Sequence, residues 1–191
     1  MSTKFKAICK DQDVCEKINI NDKNVSNEDI QFIFEEKCKN FQLQFATLER
    51  DLILTKISEV NLESTSITRT QSIYLVRNLT PKLKKINLGV LSLTDEHIKA
   101  LVKRCNKLQE LKLNNSGPIT DNAITSIIDE LKNTLETLDL PSYKEIYNSK
   151  LLELGEMPKL MNLNIDRPKS EIQRLRIQLP NLYVNEVYPF M

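Results

Sequence analysis

Tryptophan is absent from this sequence of 191 residues, histidine occurs once and glycine three times. A lone imidazole, His97, leaves no partner for His-based acid–base or nucleophilic chemistry, and its place near a helix start reads as a surface histidine. Three glycines rule out the phosphate-cradling G-x-x-x-x-G-K-[ST] and G-x-G-x-x-G loops, and no G-x-S-x-G elbow is present. Adjacent acids such as Glu35–Glu36 and Asp95–Glu96 read as solvated helix surface. The chain is therefore expected not to be an enzyme and to carry no cofactor. An excess of either charge is missing too: 27 basic residues face 26 acidic ones, a net charge of +1. No overall field gathers nucleic acid or an anionic membrane. Nowhere do the roughly 18 apolar residues of a membrane span run together, and the start, MSTKFKAICKDQDVCEK, has no apolar signal-peptide core. Cys9, Cys15, Cys38 and Cys105 show no C-x₂-C pairs of the kind a zinc site needs. They read as reduced, buried thiols, as in a cytoplasmic or nuclear protein. A chain beginning after a removed signal would look the same, so secretion stays open.

What is present is apolar and periodic. Hydrophobic residues make up 40% and charged residues 28%, which is globular rather than disordered composition. Leu83-x-x-Ile86-x-Leu88 is followed by Leu93, Thr94, Asp95, Ile98, Leu101 and Cys105. Leu108-x-x-Leu111-x-Leu113 is followed in the same order by Ile119, Thr120, Asp121, Ile124, Ile127 and Leu131. The apolar triplet recurs as Cys15/Ile18/Ile20, Ile57/Val60/Leu62, Leu135/Leu138/Leu140 and Leu160/Leu163/Ile165. A seventh unit falls around Phe41, Leu43 and Phe45 with its frame undetermined, and Leu182 and Val184 open a truncated last strand. Alternation over the triplet predicts a strand; the i, i+3, i+4 spacing behind it predicts a helix. Ser26 and Asn27, Thr94 and Thr120 supply N-cap side chains.

One strand–turn–helix unit cannot bury its own apolar face, so the units must stack and share a core. The expected fold is α/β, a solenoid curved into a horseshoe with a parallel sheet on the concave face and helices on the convex face. It forms a single domain over 1–191 of about seven repeats, with an N-terminal cap at 1–14 and a C-terminal cap at 182–191. Tyr183, Tyr188 and Phe190 are expected to cover the last repeat.

The L-x-x-L-x-L core, with Thr94 to Ile98 and Leu101 through Cys105 to Leu113, resembles the cysteine-containing leucine-rich repeats of F-box/leucine-rich-repeat proteins. Asn106 stands where that class has proline. Phe5 to Lys10 and Asp13 to Glu16 look like the stretch leading from an F-box into its first repeat, while the F-box itself is missing. The resemblance implies the substrate-recognition half of a ubiquitin-ligase receptor. A leucine-rich-repeat adaptor or secreted effector that binds without any ligase is the other class of reading.

In this frame the residues between the apolar positions face the concave surface. The expected partner is another protein, not nucleic acid or membrane, bound by a chain that is monomeric on its own. The expected contact residues are Asn19, Glu59, Asn61, Glu63, Lys85, Asn87, Glu110, Lys112, Asn114, Asp139, Asn162, Asn164 and Asp166. Carboxamides at successive units offer donors and acceptors together, which suits reading a polar protein edge.

Overall fold

The computed structural model describes residues 58–61, 76, 79–89, 93–114, 116–140 and 145–186, and the backbone of four strands nearer the N-terminus. Those strands are β1 (Lys17–Asn21), β2 (Asn24–Val25), β3 (Asn40–Gln44) and β4 (Thr47–Leu48). There follow β5 (Glu59–Asn61), β6 (Lys85–Asn87), α1 (Asp95–Arg104), β7 (Glu110–Lys112), α2 (Asp121–Leu131) and β8 (Thr137–Leu140). The chain continues through α3 (Asn148–Glu153) with its 3₁₀ extension Leu154–Glu156, β9 (Asn162–Ile165), α4 (Lys169–Gln178) and β10 (Tyr183–Glu186).

Eight strands form one sheet in the order β1-β3-β5-β6-β7-β8-β9-β10, and every pairing is parallel. Among strands of this sheet, each neighbour is the next one along the chain. β2 and β4 pair in parallel as a small second sheet. A parallel sheet with helices in its connections, in strict chain order, is compatible with a leucine-rich-repeat-like fold.

Alternation fixes which side of each strand is buried. Val60, Ile86, Leu111, Leu138, Leu163 and Val184 are buried and share one register position. Against them pack Ile98, Leu101 and Val102 of α1, Ala123, Ile124, Ile127 and Leu131 of α2, Leu151 of α3, and Ile172 and Leu175 of α4. These belong to a single apolar cluster, in which each fully buried aliphatic side chain contributes about 1.5–3 kcal/mol. Consecutive helices also touch: α1 packs on α2, α2 on α3 and α3 on α4.

Local chemistry starts and stops the helices. Thr94 is extended at the N-cap of α1, with Asp95 and Glu96 in the first turn and Lys103 and Arg104 in the last, the distribution that the helix dipole favours. At α2 the Thr120 hydroxyl accepts from the Asn122 N–H at 3.2 Å. Gly117, at φ 95°, makes the left-handed turn leading to that cap. A Cβ at Gly155 would lie 2.7 Å from Leu179 Cδ2, so a larger residue there would make that side chain shift.

Units are also tied by polar contacts. The Asp95 carboxylate accepts from the Thr120 N–H at 2.8 Å and from its hydroxyl at 2.7 Å. One unit on, Asp121 accepts from the Tyr147 N–H at 2.9 Å. The buried Ser116 hydroxyl donates to the Leu88 carbonyl at 2.9 Å. The first residue of α1 and of α2 thus satisfies backbone at the start of the next unit's helix.

Three expectations are modified. Phe41 pairs with Ile18 and Val60, and Leu43 with Ile20, which fixes the frame of the seventh unit on β3; Phe45 lies outside the described residues. His97 is not a surface histidine. It is 8% exposed, its Nδ1 accepts from the Thr94 N–H at 3.0 Å, and it lies 2.9 Å from Thr94 Oγ1, which makes it the reciprocal partner in a capping box. Tyr183 does not cover the last repeat: it is 73% exposed on β10, because strand alternation turns Val184 inward and Tyr183 out. Tyr188 and Phe190 lie outside the described residues. Cys105 is fully buried, its thiol 3.4 Å from the Thr80 carbonyl, and burial pushes it up to about 12 against the opposing charge of Arg104. Cys9, Cys15 and Cys38 lie outside the described residues.

Candidate functional site

Strand register builds the site. Two register positions cross every strand of the large sheet, and from β5 to β10 they lie on the face opposite the helices. One reads Lys17, Asn40, Glu59, Lys85, Glu110, Thr137, Asn162 and Tyr183; the other reads Asn19, Gln42, Asn61, Asn87, Lys112, Asp139, Asn164 and Asn185. The second row holds six carboxamides, which makes it a polar stripe transverse to the strands.

Among the described side chains, the lysines of the two rows have glutamate partners. Lys85 Nζ lies 3.4 Å from the Glu59 carboxylate, and Lys112 Nζ lies 2.8 Å from that of Glu110. Both pairs are partly exposed and contribute little to stability, but they neutralise the middle of the face. Asn87 Oδ1 accepts from the Gly89 N–H at 3.0 Å, so this amide also shapes the turn leaving β6.

Toward β10 the stripe becomes a continuous chain of hydrogen bonds. Asn164 Nδ2 donates to Asp139 Oδ1. Asn185 Nδ2 donates to Asn164 Oδ1 at 3.0 Å. Beside it, Asn162 Nδ2 donates to Thr137 Oγ1 at 3.5 Å. Asp139 anchors the chain and is only 6% exposed. Burial raises its pKa; the Asn164 bond, the Lys112 charge and an Asn114 bond oppose this, while Glu110 adds to it. Asp139 therefore orients the stripe from beneath more than it offers itself to a partner.

The sheet brings the expected contact residues together. Asn19 is on β1, Glu59 and Asn61 on β5, Lys85 and Asn87 on β6, Glu110 and Lys112 on β7, Asp139 on β8, and Asn162 and Asn164 on β9. Asn114 and Asp166 follow β7 and β9, and Glu63 lies outside the described residues. Sequence reading missed Asn40 and Gln42 on β3 and Tyr183 and Asn185 on β10. Taking Cys38 as the first apolar position would have placed Gln42; Asn185 lies between Val184 and Glu186, where the second apolar residue of the pattern is missing.

No known protein family matches this chain, and no curated protein matches it. Among solved structures it is similar to a chain in the crystal structure of the Rad7 and Elc1 complex in yeast, at 17% identity and a TM-score of 0.32. The similarity covers 85% of this chain and 66% of that one, just under two thirds of the neighbour's length. Strand order and register, not this likeness, define the fold described above.

The helical side holds a different feature, a groove of about 520 Å³ between α1 and α2 lined by Thr94, Asp95, Glu96, Lys99, Pro118, Asn122, Thr125, Ser126 and Asp129. The Thr125 and Ser126 hydroxyls donate to carbonyls of their own helix at 2.9 and 3.0 Å. Among the described residues, no three His, Cys, Asp or Glu side chains converge to hold a metal ion. No helix among them is long and apolar enough to cross a membrane.

Proposed function

We propose that this chain is a leucine-rich-repeat solenoid, not an enzyme, that recognises another protein through the sheet face opposite its helices. The observation carrying this reading is the register: eight parallel strands in chain order repeat a polar position eight times and align it into one stripe. Such a stripe offers carboxamide donors and acceptors across a wide surface, the chemistry of a protein-binding face and not of a pocket that encloses a small molecule. Within this reading, the repeat that ends in Cys105 favours a substrate receptor of the F-box type. An adaptor or effector would use the same face without a ligase.

The test is affinity capture from cell extract with the wild-type chain and with a variant carrying Asn61→Arg, Asn87→Glu and Lys112→Glu, both shown to be folded by circular dichroism. The expected result is a protein retained by the wild type and lost by the variant. A captured partner held equally by both would move the site off the sheet face. Ubiquitin-ligase subunits captured with a longer parent protein would separate the receptor from the adaptor.

A further inference from the structure

The last three strands differ from those before them. Lysines on β6 and β7 have glutamate partners, whereas β8, β9 and β10 contain no lysine or arginine. Their hydrogen bonds also share one polarity. As a carboxylate Asp139 can only accept, so the Asn164 amide turns its NH₂ toward β8 and its carbonyl toward β10. The Asn185 NH₂ answers that carbonyl at 3.0 Å, which leaves Asn185 Oδ1 on the far side. Asn162 repeats the pattern by spending its NH₂ on Thr137 at 3.5 Å. The surface left over is rich in acceptors. Beside them Tyr183 is 73% exposed although it is a large aromatic on a strand. Two nearby arginines already donate to carbonyls, Arg167 to Ile146 at 2.6 Å and Arg176 to Val184 at 2.8 Å.

We propose that this end of the face seats an arginine side chain of the protein partner, with its guanidinium stacked on the Tyr183 ring and donating to the Asn162 and Asn185 side-chain carbonyls. The inference rests on the reading of the sheet face as a protein-binding surface and names what the partner brings to it. Guanidinium is planar, carries five donors and no acceptor, and stacks well on aromatic rings. It therefore complements a flat ring bordered by acceptors. An ammonium has the charge but lacks the plane, and a carboxylate would meet only acceptors.

A random peptide library displayed on phage, panned against the full chain, tests this whichever protein the natural partner is. Wild type should select peptides sharing one arginine. Tyr183→Phe should retain them, and Tyr183→Ala, a surface substitution checked by circular dichroism, should lose that enrichment. In a selected peptide, replacing the arginine by lysine should weaken binding about fivefold or more. Selection without a shared arginine, or equal binding of the arginine peptides to all the variants, overturns the proposal. A cellular partner lost by the Asn61, Asn87 and Lys112 variant yet untouched by Tyr183→Ala overturns the arginine seat while the sheet-face reading stands.

Discussion

Asp139 shows how a single side chain sets the character of a surface. It is buried at the end of the amide chain, and its folded-state pKa is raised. Between the unfolded and the folded value, the folded protein holds a proton that the unfolded chain releases. Folding then binds protons, so Asp139's contribution is greatest below the ordinary carboxylate value and is lost as pH rises through the folded one. Asp139→Asn keeps an acceptor for Asn164 and removes the desolvated charge. This variant is expected to be as stable as the wild type or more so at pH 7, with the difference shrinking on acidification, as read from urea midpoints across pH. Asp139→Leu strands the Asn164 and Asn114 amides and is expected to cost about 1–3 kcal/mol. A larger deficit for the Asn variant at pH 7 than at pH 4 would count against the desolvation argument.

Elements here are held by their ends as much as by their faces. α1 buries Ile98, Leu101 and Val102, yet its first turn depends on the reciprocal contact of Thr94 and His97 and on Asp95 reaching Thr120 in the next unit. Glutamine is a usual residue at the position that His97 fills. Replacing His97 with alanine should cost about 1 kcal/mol, whereas His97→Gln should restore most of it. Equal losses for the two variants in chemical denaturation would mean that the imidazole acts by packing and not by capping. Asp95 couples two helices, so its loss leaves the Thr120 N–H without that acceptor as well as weakening the start of α1.

At the scale of the molecule, strict chain order makes contacts between units nearest-neighbour contacts. Leu111 is fully buried in the middle of β7, and Leu111→Ala is expected to cost about 2–5 kcal/mol through lost burial and the cavity left behind. In an array of this kind the damage should be local before it is global. Amide hydrogen exchange should show the largest loss of protection in β6, β7 and β8, with less in β10. A uniform loss along β6 to β10 would indicate one indivisible cooperative unit. The far edge is already protected: Arg176 of α4 donates to the Val184 carbonyl, a group that would otherwise invite another strand.

The sequence by itself determined the repeating unit, since the switch from alternating to helical spacing at Leu83–Leu88 and again at Leu108–Leu113 admits one strand–turn–helix order, and burial demands stacking. It also placed most of the stripe, because the residue between two inward apolar positions must face out wherever the apolar frame is clear. At Phe41 that frame was ambiguous, and only pairing with Ile18 and Val60 resolved it and brought Gln42 into the row. Contacts spanning about 20 residues or more leave no trace in local periodicity. Whereas the His97 cap is a contact only three residues long within its own helix, tertiary structure alone therefore buried Asp139 and gave the amides of β9 and β10 a common direction. Those properties depend on which side chain lies across the next strand, and a single strand's sequence does not contain its neighbour.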